Sequence, residues 1–134
     1  MTLYVDSSAF AKRYFVAEHD RDEAVAATAA DLDWVSSELL SLEVERAIRI
    51  GIDRSDVDEA LASYREDHAH VTLIRADAMV LSVALEIAAE TGIKSLDAIH
   101  VASAALHDDR SLRFLTFDKQ QAAAAVDVGL KLAR

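Results

Sequence analysis

The sequence predicts an α/β fold in which helices cover both faces of a central, mostly parallel sheet of about five strands. Short β-prone stretches alternate with longer helical stretches along the chain, there is no proline, and 52% of the residues are hydrophobic. Strands that alternate with helices pair in parallel through right-handed crossovers, so the expected architecture is a helix-sheet-helix sandwich. With 134 residues, the chain is expected to form one domain, residues 1–134, around one continuous core.

The first half of the chain begins with a strand, because Leu3, Tyr4 and Val5 suit a buried extended segment that runs into Asp6. Gly51 is a typical helix end and bounds the helix that follows the second strand. The predicted elements are a strand at 3–5, helices over 7–17 and 20–31, a strand at 33–37, and helices over 38–50 and 55–68.

The second half of the chain alternates strands and helices again. Asp77 is expected to cap a long helix that ends at Gly92, and the helix that opens at Ser95 is apolar around most of its circumference. A helix of that kind is buried against a sheet. The other predicted elements are strands at 70–74, 112–117 and 129–132 and a helix at 122–125.

Composition and charge exclude several classes of function. The absence of cysteine excludes disulfides, thiol catalysis and cysteine-ligated zinc, and the helical spacing of His100 and His107 favours one helix face over a ligand pair. A net charge of −10 argues against sequence-independent binding of nucleic acid through a basic surface, although a bound cation would reverse the sign of the local field. The chain shows no secretory signal, and its longest apolar run, residues 76–89, is too short to span a bilayer. We therefore expect a soluble cytoplasmic protein without a membrane partner.

Four carboxylates are expected to meet at one edge of the sheet. Asp6 follows the first strand and Asp118 follows the fourth, while Glu43 and Asp97 lie on helices that adjoin the same edge. In open α/β sheets, ligands bind at this edge, where the strands end. Like charges at close quarters repel one another unless a divalent cation lies among them, and an all-oxygen set suits Mg²⁺ or Mn²⁺. Such metal sites hydrolyse phosphodiesters by in-line displacement.

Three of these carboxylates also have an ordinary structural explanation. Asp6 and Asp118 could serve only as helix N-caps, because each stands where a strand gives way to a helix. Asp97 could interact only with the dipole of its own helix, an effect of about 0.3–1 kcal/mol. Taken one at a time, these residues leave the capping and metal-binding interpretations open.

Glu43 is unusual because the helical phase places it in the apolar stripe of the predicted helix 38–50, near Leu40 and Ile50. Glu45 instead projects from the polar side of that helix. A carboxylate that faces a core is costly unless it is paired or binds a cation. Arg46 lies near the same stripe, so the sequence leaves open an internal salt bridge as well as a metal site.

Four segments of the chain carry a further signal. They are Val5-Asp6-Ser7-Ser8-Ala9, the stretch from 37 through Glu43-Val44-Glu45-Arg46-Ala47, the stretch 95–104 around Asp97, and Leu115-Thr116-Phe117-Asp118. In this order, and over almost the whole chain, they resemble the PIN-domain ribonucleases, and most closely the VapC toxins of bacterial toxin-antitoxin pairs. The segment around Asp97 is the most specific of the four.

The resemblance implies a PIN-like fold and a metal-dependent endoribonuclease that arrests translation by cleaving RNA. By this likeness, Asp6, Glu43, Asp97 and Asp118 are the acidic catalytic and metal-binding residues. The resemblance also implies a cognate VapB-like antitoxin whose tail occludes the site, and a homodimer that pairs further with that antitoxin. The positions at which the family often has a supporting hydroxyl are Ser7 and Thr116.

Other functions agree less well with the residues. A phosphatase of the haloacid dehalogenase type needs a second aspartate two residues after Asp6, where this chain has Ser8. A phospho-receiver domain needs a lysine at the end of a late strand, and Lys119 instead opens a helix. A catalytically silent binding module with the PIN fold stays open, and an assay of metal-dependent RNA cleavage would decide it.

Overall fold

The computed structural model describes residues 1–16, 18–29 and 32–134. These residues form five strands and seven α-helices, and a 3-10 helix over Lys12–Tyr14 extends the first helix. The strands are β1 (Thr2–Val5), β2 (Asp33–Ser37), β3 (Thr72–Ile74), β4 (Arg113–Leu115) and β5 (Lys131–Leu132). The helices are α1 (Ser7–Ala11), α2 (Arg21–Ala27), α3 (Leu40–Gly51), α4 (Val57–His68), α5 (Ala78–Thr91), α6 (Ser95–Ala105) and α7 (Lys119–Asp127).

The five strands form one sheet in the order β3-β2-β1-β4-β5, and every neighbouring pair is parallel. The predicted α/β fold with about five strands is confirmed, and the sheet is wholly rather than mostly parallel. β1 is the central strand, and Val5 at its end aligns with Leu115 at the end of β4. Asp6 and Thr116 therefore leave the sheet at the same edge.

Alternate residues of β1 point into two cores, one on each face of the sheet. Leu3 and Val5 belong to a cluster with residues of α1, α3 and α4, whereas Tyr4 belongs to a cluster with residues of α5, α6 and α7. The sheet thus divides the expected continuous core into two, and helices cover both of its faces. Among the described residues, no helix combines the length and the apolar character that crossing a bilayer requires.

Three helices differ clearly from the predicted ones. The α-helical part of the first ends at Ala11 and tightens into the 3-10 turn, where the Arg13 guanidinium bonds to Thr28 and to Asp67. The helix predicted at 122–125 is longer and begins at Lys119, because the preceding residue provides its N-cap. The second predicted helix ends at Ala27, and the predicted ends at residues 17 and 31 lie outside the described residues.

Candidate active site

Asp6 directly follows the central strand and caps α1. Its Oδ1 accepts a hydrogen bond from the backbone N–H of Ala9 at 2.8 Å, so it does serve as an N-cap. The residue is only 1% exposed. Burial, together with the charges of Asp97 and Glu43, raises the pKa of Asp6 from 3.8 to about 6. Capping does not explain why a carboxylate should be buried this completely beside two others.

Glu43 is held in place by a hydroxyl and an imidazole. Its Oε1 accepts a hydrogen bond from the hydroxyl of Ser7 at 2.8 Å and lies 2.8 Å from Nε2 of His100. Burial acts to raise the pKa of Glu43, but the hydrogen bonds from His100 and Ser7 outweigh it, so the pKa is lowered. Glu43 is therefore fixed in its charged form at the edge where β1 ends.

The phase of α3 differs from the predicted one. The buried residues of this helix are Leu40, Val44 and Ile48. Ile50 is 68% exposed, and Glu43 lies at the edge of the buried stripe rather than in its middle, with 22% of its side chain exposed. Glu45 points elsewhere and pairs with Arg65 at 2.8 Å. Within the described part of the chain, the salt bridge from Glu43 to Arg46 does not form, because His100 occupies that role.

Gln121 links the two acidic residues that α6 and α7 contribute. Asp97 lies in the first turn of α6, and Asp118 is the N-cap of α7, where its Oδ1 accepts from the backbone N–H of Gln121 at 2.9 Å. The side-chain amide of Gln121 donates to the Asp97 carbonyl at 3.3 Å, and its Oε1 accepts from the hydroxyl of Thr116 at 2.6 Å. Burial, and then the charges of Asp118 and Glu43, raise the pKa of Asp97.

The structure brings all four predicted carboxylates to the same edge of the sheet. The charge of Asp6 interacts with those of Asp97 and Glu43, and the charge of Asp97 interacts with those of Asp118 and Glu43. Each of these interactions raises a pKa, which is the signature of like charges held close together. Thr116 lies beside them, with its Oγ1 3.5 Å from Oδ2 of Asp6. We refer to Asp6, Glu43, Asp97 and Asp118 as the acidic crevice.

The acidic crevice fits a hard divalent cation in the chemistry of its donors. Asp6 and Asp118 each use Oδ1 as a helix cap, and the hydrogen bonds to Glu43 both use Oε1, which leaves the second oxygen of each for a cation. Among the described residues, no three histidine, aspartate or glutamate side chains are close enough together to hold a metal ion. Uncompensated negative charges repel one another, so the side chains would have to close around a cation to bind it.

His100 is a site residue that the sequence analysis does not identify. Its spacing from His107 predicts a shared helix face, but α6 ends before His107 is reached. His100 is 1% exposed, and its ring joins Glu43 to the hydroxyl of Tyr4, which lies 2.8 Å from Nδ1. The signal in the sequence is its position one helical turn after Asp97, on the same face of an otherwise apolar helix.

Basic side chains flank the acidic crevice at two helix ends. Lys119 is exposed at the first residue of α7, and Lys94 directly precedes α6, where its charge partly offsets the raised pKa of Asp97. Lys12 and Arg13 are already paired with carboxylates, with N–O distances of 2.6 and 3.3 Å. Contacts to a polyanion are therefore available at the amino ends of α6 and α7, where the helix dipoles also favour negative charge.

The chain matches one family model and is similar in fold to a solved structure. The model of the PIN-domain family matches residues 3–127 of the chain. Among solved structures, the fold is similar to a toxin-antitoxin complex from Klebsiella pneumoniae, with a TM-score of 0.64 and 17% sequence identity over 92% of this chain and 91% of that one. A comparison with curated proteins gives no match. At 17% identity, the structural likeness extends to the fold alone, whereas the family model covers most of the chain.

Proposed function

Because the chain belongs to the PIN-domain family, we propose that it is a metal-dependent endoribonuclease that hydrolyses RNA phosphodiester bonds. The catalytic and metal-binding residues are then the acidic crevice: Asp6, Glu43, Asp97 and Asp118. The observation that carries the proposal is that Asp6 and Asp118 follow neighbouring parallel strands at one edge of the sheet, where Ser7 holds Glu43. Carboxylate oxygens favour Mg²⁺ as the cofactor, with Mn²⁺ as the alternative.

The chain's own residues position the reacting groups. A divalent cation in the acidic crevice would lower the pKa of a bound water and stabilise charge on the phosphoryl oxygens. Asp6 and Asp118 are already oriented by their helix caps and Glu43 by its two partners, so only their free oxygens would have to move together around a cation. Lys94 and Lys119, at the amino ends of α6 and α7, would contact RNA phosphates beside the crevice.

We further propose that this nuclease is the toxin of a VapBC-type toxin-antitoxin pair, in which RNA cleavage inhibits translation. The similarity of the fold to a toxin-antitoxin complex supports this role. A net charge of −10 and a crevice of carboxylates also suit a partner with a basic segment, because complementary charge speeds association. The partner would be a VapB-like antitoxin that reaches the crevice with an arginine or lysine, and the toxin itself would form a homodimer.

Mapping new RNA 5′ ends after brief expression of the chain without a partner tests the nuclease proposal in cells. In vitro, the wild type should cleave RNA when Mg²⁺ is added, and Asp6→Asn and Asp97→Asn should each abolish cleavage with the fold intact. Asparagine also caps helices well, so Asp6→Asn removes a charge while it keeps the bond to Ala9. Growth arrest without any new RNA ends would contradict the proposal.

The antitoxin proposal has a separate test. If a basic side chain of the partner takes the place of the cation, added Mg²⁺ should compete with it and speed dissociation of the complex. The measurement is the dissociation rate across a Mg²⁺ titration at constant ionic strength, which removes the general screening of charge. Dissociation that is indifferent to Mg²⁺ would show that the partner binds away from the acidic crevice.

One observation favours a second candidate function, a catalytically silent PIN-fold binding module. In the part of the chain that the structure describes, no three potential metal ligands are close enough to hold an ion. A silent module would bind its partner but would neither respond to Mg²⁺ or Mn²⁺ nor cleave RNA. The cleavage assay with the two asparagine variants distinguishes the candidates, because only a nuclease loses activity when Asp6 or Asp97 is neutralised.

A further inference from the structure

A buried chain of side chains leads from the core to Glu43. The hydroxyl of Tyr4 lies 2.8 Å from Nδ1 of His100, and Nε2 of His100 lies 2.8 Å from Oε1 of Glu43 and 3.0 Å from the hydroxyl oxygen of Ser7. Tyr4 is 0% exposed and His100 is 1% exposed. Tyr4 and His100 come from β1 and α6, so the chain of contacts joins the central strand to the helix that carries Asp97.

The hydrogen atoms in this chain can be assigned by counting donors and acceptors. A charged carboxylate only accepts hydrogen bonds, so the short contact between Glu43 and Nε2 of His100 requires a proton on Nε2. The hydroxyl of Ser7 donates its own proton to the same Oε1 at 2.8 Å. Both contacts therefore hold one oxygen of Glu43, and the other oxygen is left for a ligand.

The other ring nitrogen then determines what Tyr4 does. In a neutral imidazole that carries its proton on Nε2, Nδ1 is an acceptor and needs a donor, because buried polar atoms are rarely left unpaired. The hydroxyl of Tyr4 is that donor. A tyrosine hydroxyl carries its proton at neutral pH, so it can donate this hydrogen bond. Its ring is fixed by stacking on Phe114, with the ring centroids 5.3 Å apart.

We propose that Tyr4 is a positioning residue that selects the Nε2–H tautomer of His100, and that this tautomer holds Oε1 of Glu43 and leaves Oε2 for the metal. The role of this arrangement in metal binding rests on the proposed function, whereas the assignment of the tautomer rests only on the hydrogen bonds. Residues that hydrogen-bond to metal-binding side chains commonly act in this way, because they fix the orientation of the ligand without binding the metal themselves. Tyr4 would thus affect metal binding without touching the metal.

Tyr4→Phe is the decisive variant, because it removes one hydroxyl and keeps the stacked ring. The matched control is Tyr64→Phe, since Tyr64 is also 0% exposed and its hydroxyl also bonds to a helix residue, Ser41 of α3, at 2.8 Å. Nitrogen NMR of the His100 ring in the metal-free protein reports the tautomer directly, with the signal assigned by its loss in His100→Gln. We expect Nε2–H in the wild type and in Tyr64→Phe, and a mixture of tautomers in Tyr4→Phe.

The second measurement is the affinity for Mg²⁺ alone, by calorimetry on the full chain without RNA. Loss of an outer partner of a metal ligand weakens metal binding by about 10–100-fold. We therefore expect Tyr4→Phe to weaken Mg²⁺ binding by an amount in the lower part of that range. Tyr64→Phe should bind Mg²⁺ as tightly as the wild type does. Glutamine at position 100 can donate to Glu43 without a tautomer to choose. In the His100→Gln background, Tyr4→Phe should therefore leave the Mg²⁺ affinity unchanged.

The outcomes separate this inference from the proposed function. If Tyr4→Phe keeps the wild-type tautomer, or if it weakens Mg²⁺ binding equally with and without His100, Tyr4 does not act through His100 and the inference is wrong. If the wild type neither binds Mg²⁺ nor cleaves RNA, the proposed function fails, and the NMR result alone decides whether Tyr4 sets the tautomer. A wild-type ring protonated on Nδ1, whether alone or together with Nε2, overturns the inference directly.

Discussion

The side-chain amide of Gln121 donates a hydrogen bond to the backbone carbonyl of Asp97 across the gap between α7 and α6, at 3.3 Å. The same residue accepts from Thr116 through its side chain and donates to Asp118 through its backbone. Gln121 is 0% exposed, so it makes these bonds away from water. One buried amide therefore sets the spacing between two carboxylates that repel each other.

Gln121→Leu should lower both stability and RNA cleavage. Leucine fills a similar volume but cannot bond to Thr116 or to the Asp97 carbonyl, and an unsatisfied buried polar group costs about 1–3 kcal/mol. The free energy of unfolding from urea titration should fall by about that amount. Gln120→Leu is the matched control, because Gln120 is exposed in the same turn of α7. Equal stability of the two variants would show that the bonds of Gln121 are dispensable.

Glu43→Gln and Glu45→Gln should have opposite effects on activity, although the residues are two positions apart on α3. Glu43 faces the acidic crevice, whereas Glu45 pairs with Arg65 elsewhere on the helix. Metal-assisted charge stabilisation is worth several kcal/mol, so Glu43→Gln should reduce the rate of RNA cleavage by about a hundredfold or more. Glu45→Gln should cleave at nearly the wild-type rate. Loss of activity in Glu45→Gln alone would show that the active site lies on the face of α3 that carries Glu45, which would contradict the prediction.

Asp97→Asn should melt at a higher temperature than the wild type in EDTA at pH 7. Burial and the neighbouring carboxylates raise the pKa of Asp97, and a carboxyl with a raised folded-state pKa destabilises the fold above its unfolded-state pKa. Added Mg²⁺ should stabilise the wild type by about 2.7 kcal/mol at one hundred times its dissociation constant, and the variant by much less. Thermal melts with and without Mg²⁺ measure both effects. A variant that melts lower in EDTA would indicate a purely structural role for Asp97.

The stability of the metal-free protein should depend on pH through Asp6. Its pKa is raised from 3.8 to about 6, so between these values the folded state binds more protons than the unfolded state does. The free energy of unfolding should therefore fall as the pH rises from about 4 to 6 and level off above, with a total change of at most about 3 kcal/mol. Asp6→Asn should give a flatter profile in EDTA. Urea titrations from pH 4 to pH 8 measure the free energy of unfolding of both proteins. If it changed with pH in parallel in the wild type and in Asp6→Asn, the prediction would be wrong.

The positions of Asp6 and Asp118 could be predicted from the sequence because the signals for them are local. Each follows a β-prone segment and precedes a helix, and each proves to be an N-cap at the end of a parallel strand. Parallel pairing of neighbouring strands then brings both to one edge without any knowledge of side-chain contacts. The fold class and the placement of these two carboxylates therefore follow from short-range patterns.

The surroundings of Glu43 could not be predicted in the same way. Helical periodicity gives the direction of a side chain but not what it meets, and it placed Ile50 in a stripe from which the structure exposes it. The partner of Glu43 is His100, which lies 57 positions away on another helix. Arg46 is closer in the sequence but not in the folded chain. A buried imidazole among alanines is recognisable only when the tertiary structure supplies its neighbours.

The central place of β1 in the sheet also determines when the site can exist during synthesis. Ribosomes make chains from the amino end, so Asp6 is made before Thr116, which lies beside it but comes 110 positions later. Until β4 has been made, β1 lacks one of its two neighbours and Asp118 is absent. Contacts between residues so distant in sequence form only after a large loop has closed. A chain on which β4 and Asp118 have not yet been made therefore has no complete acidic crevice.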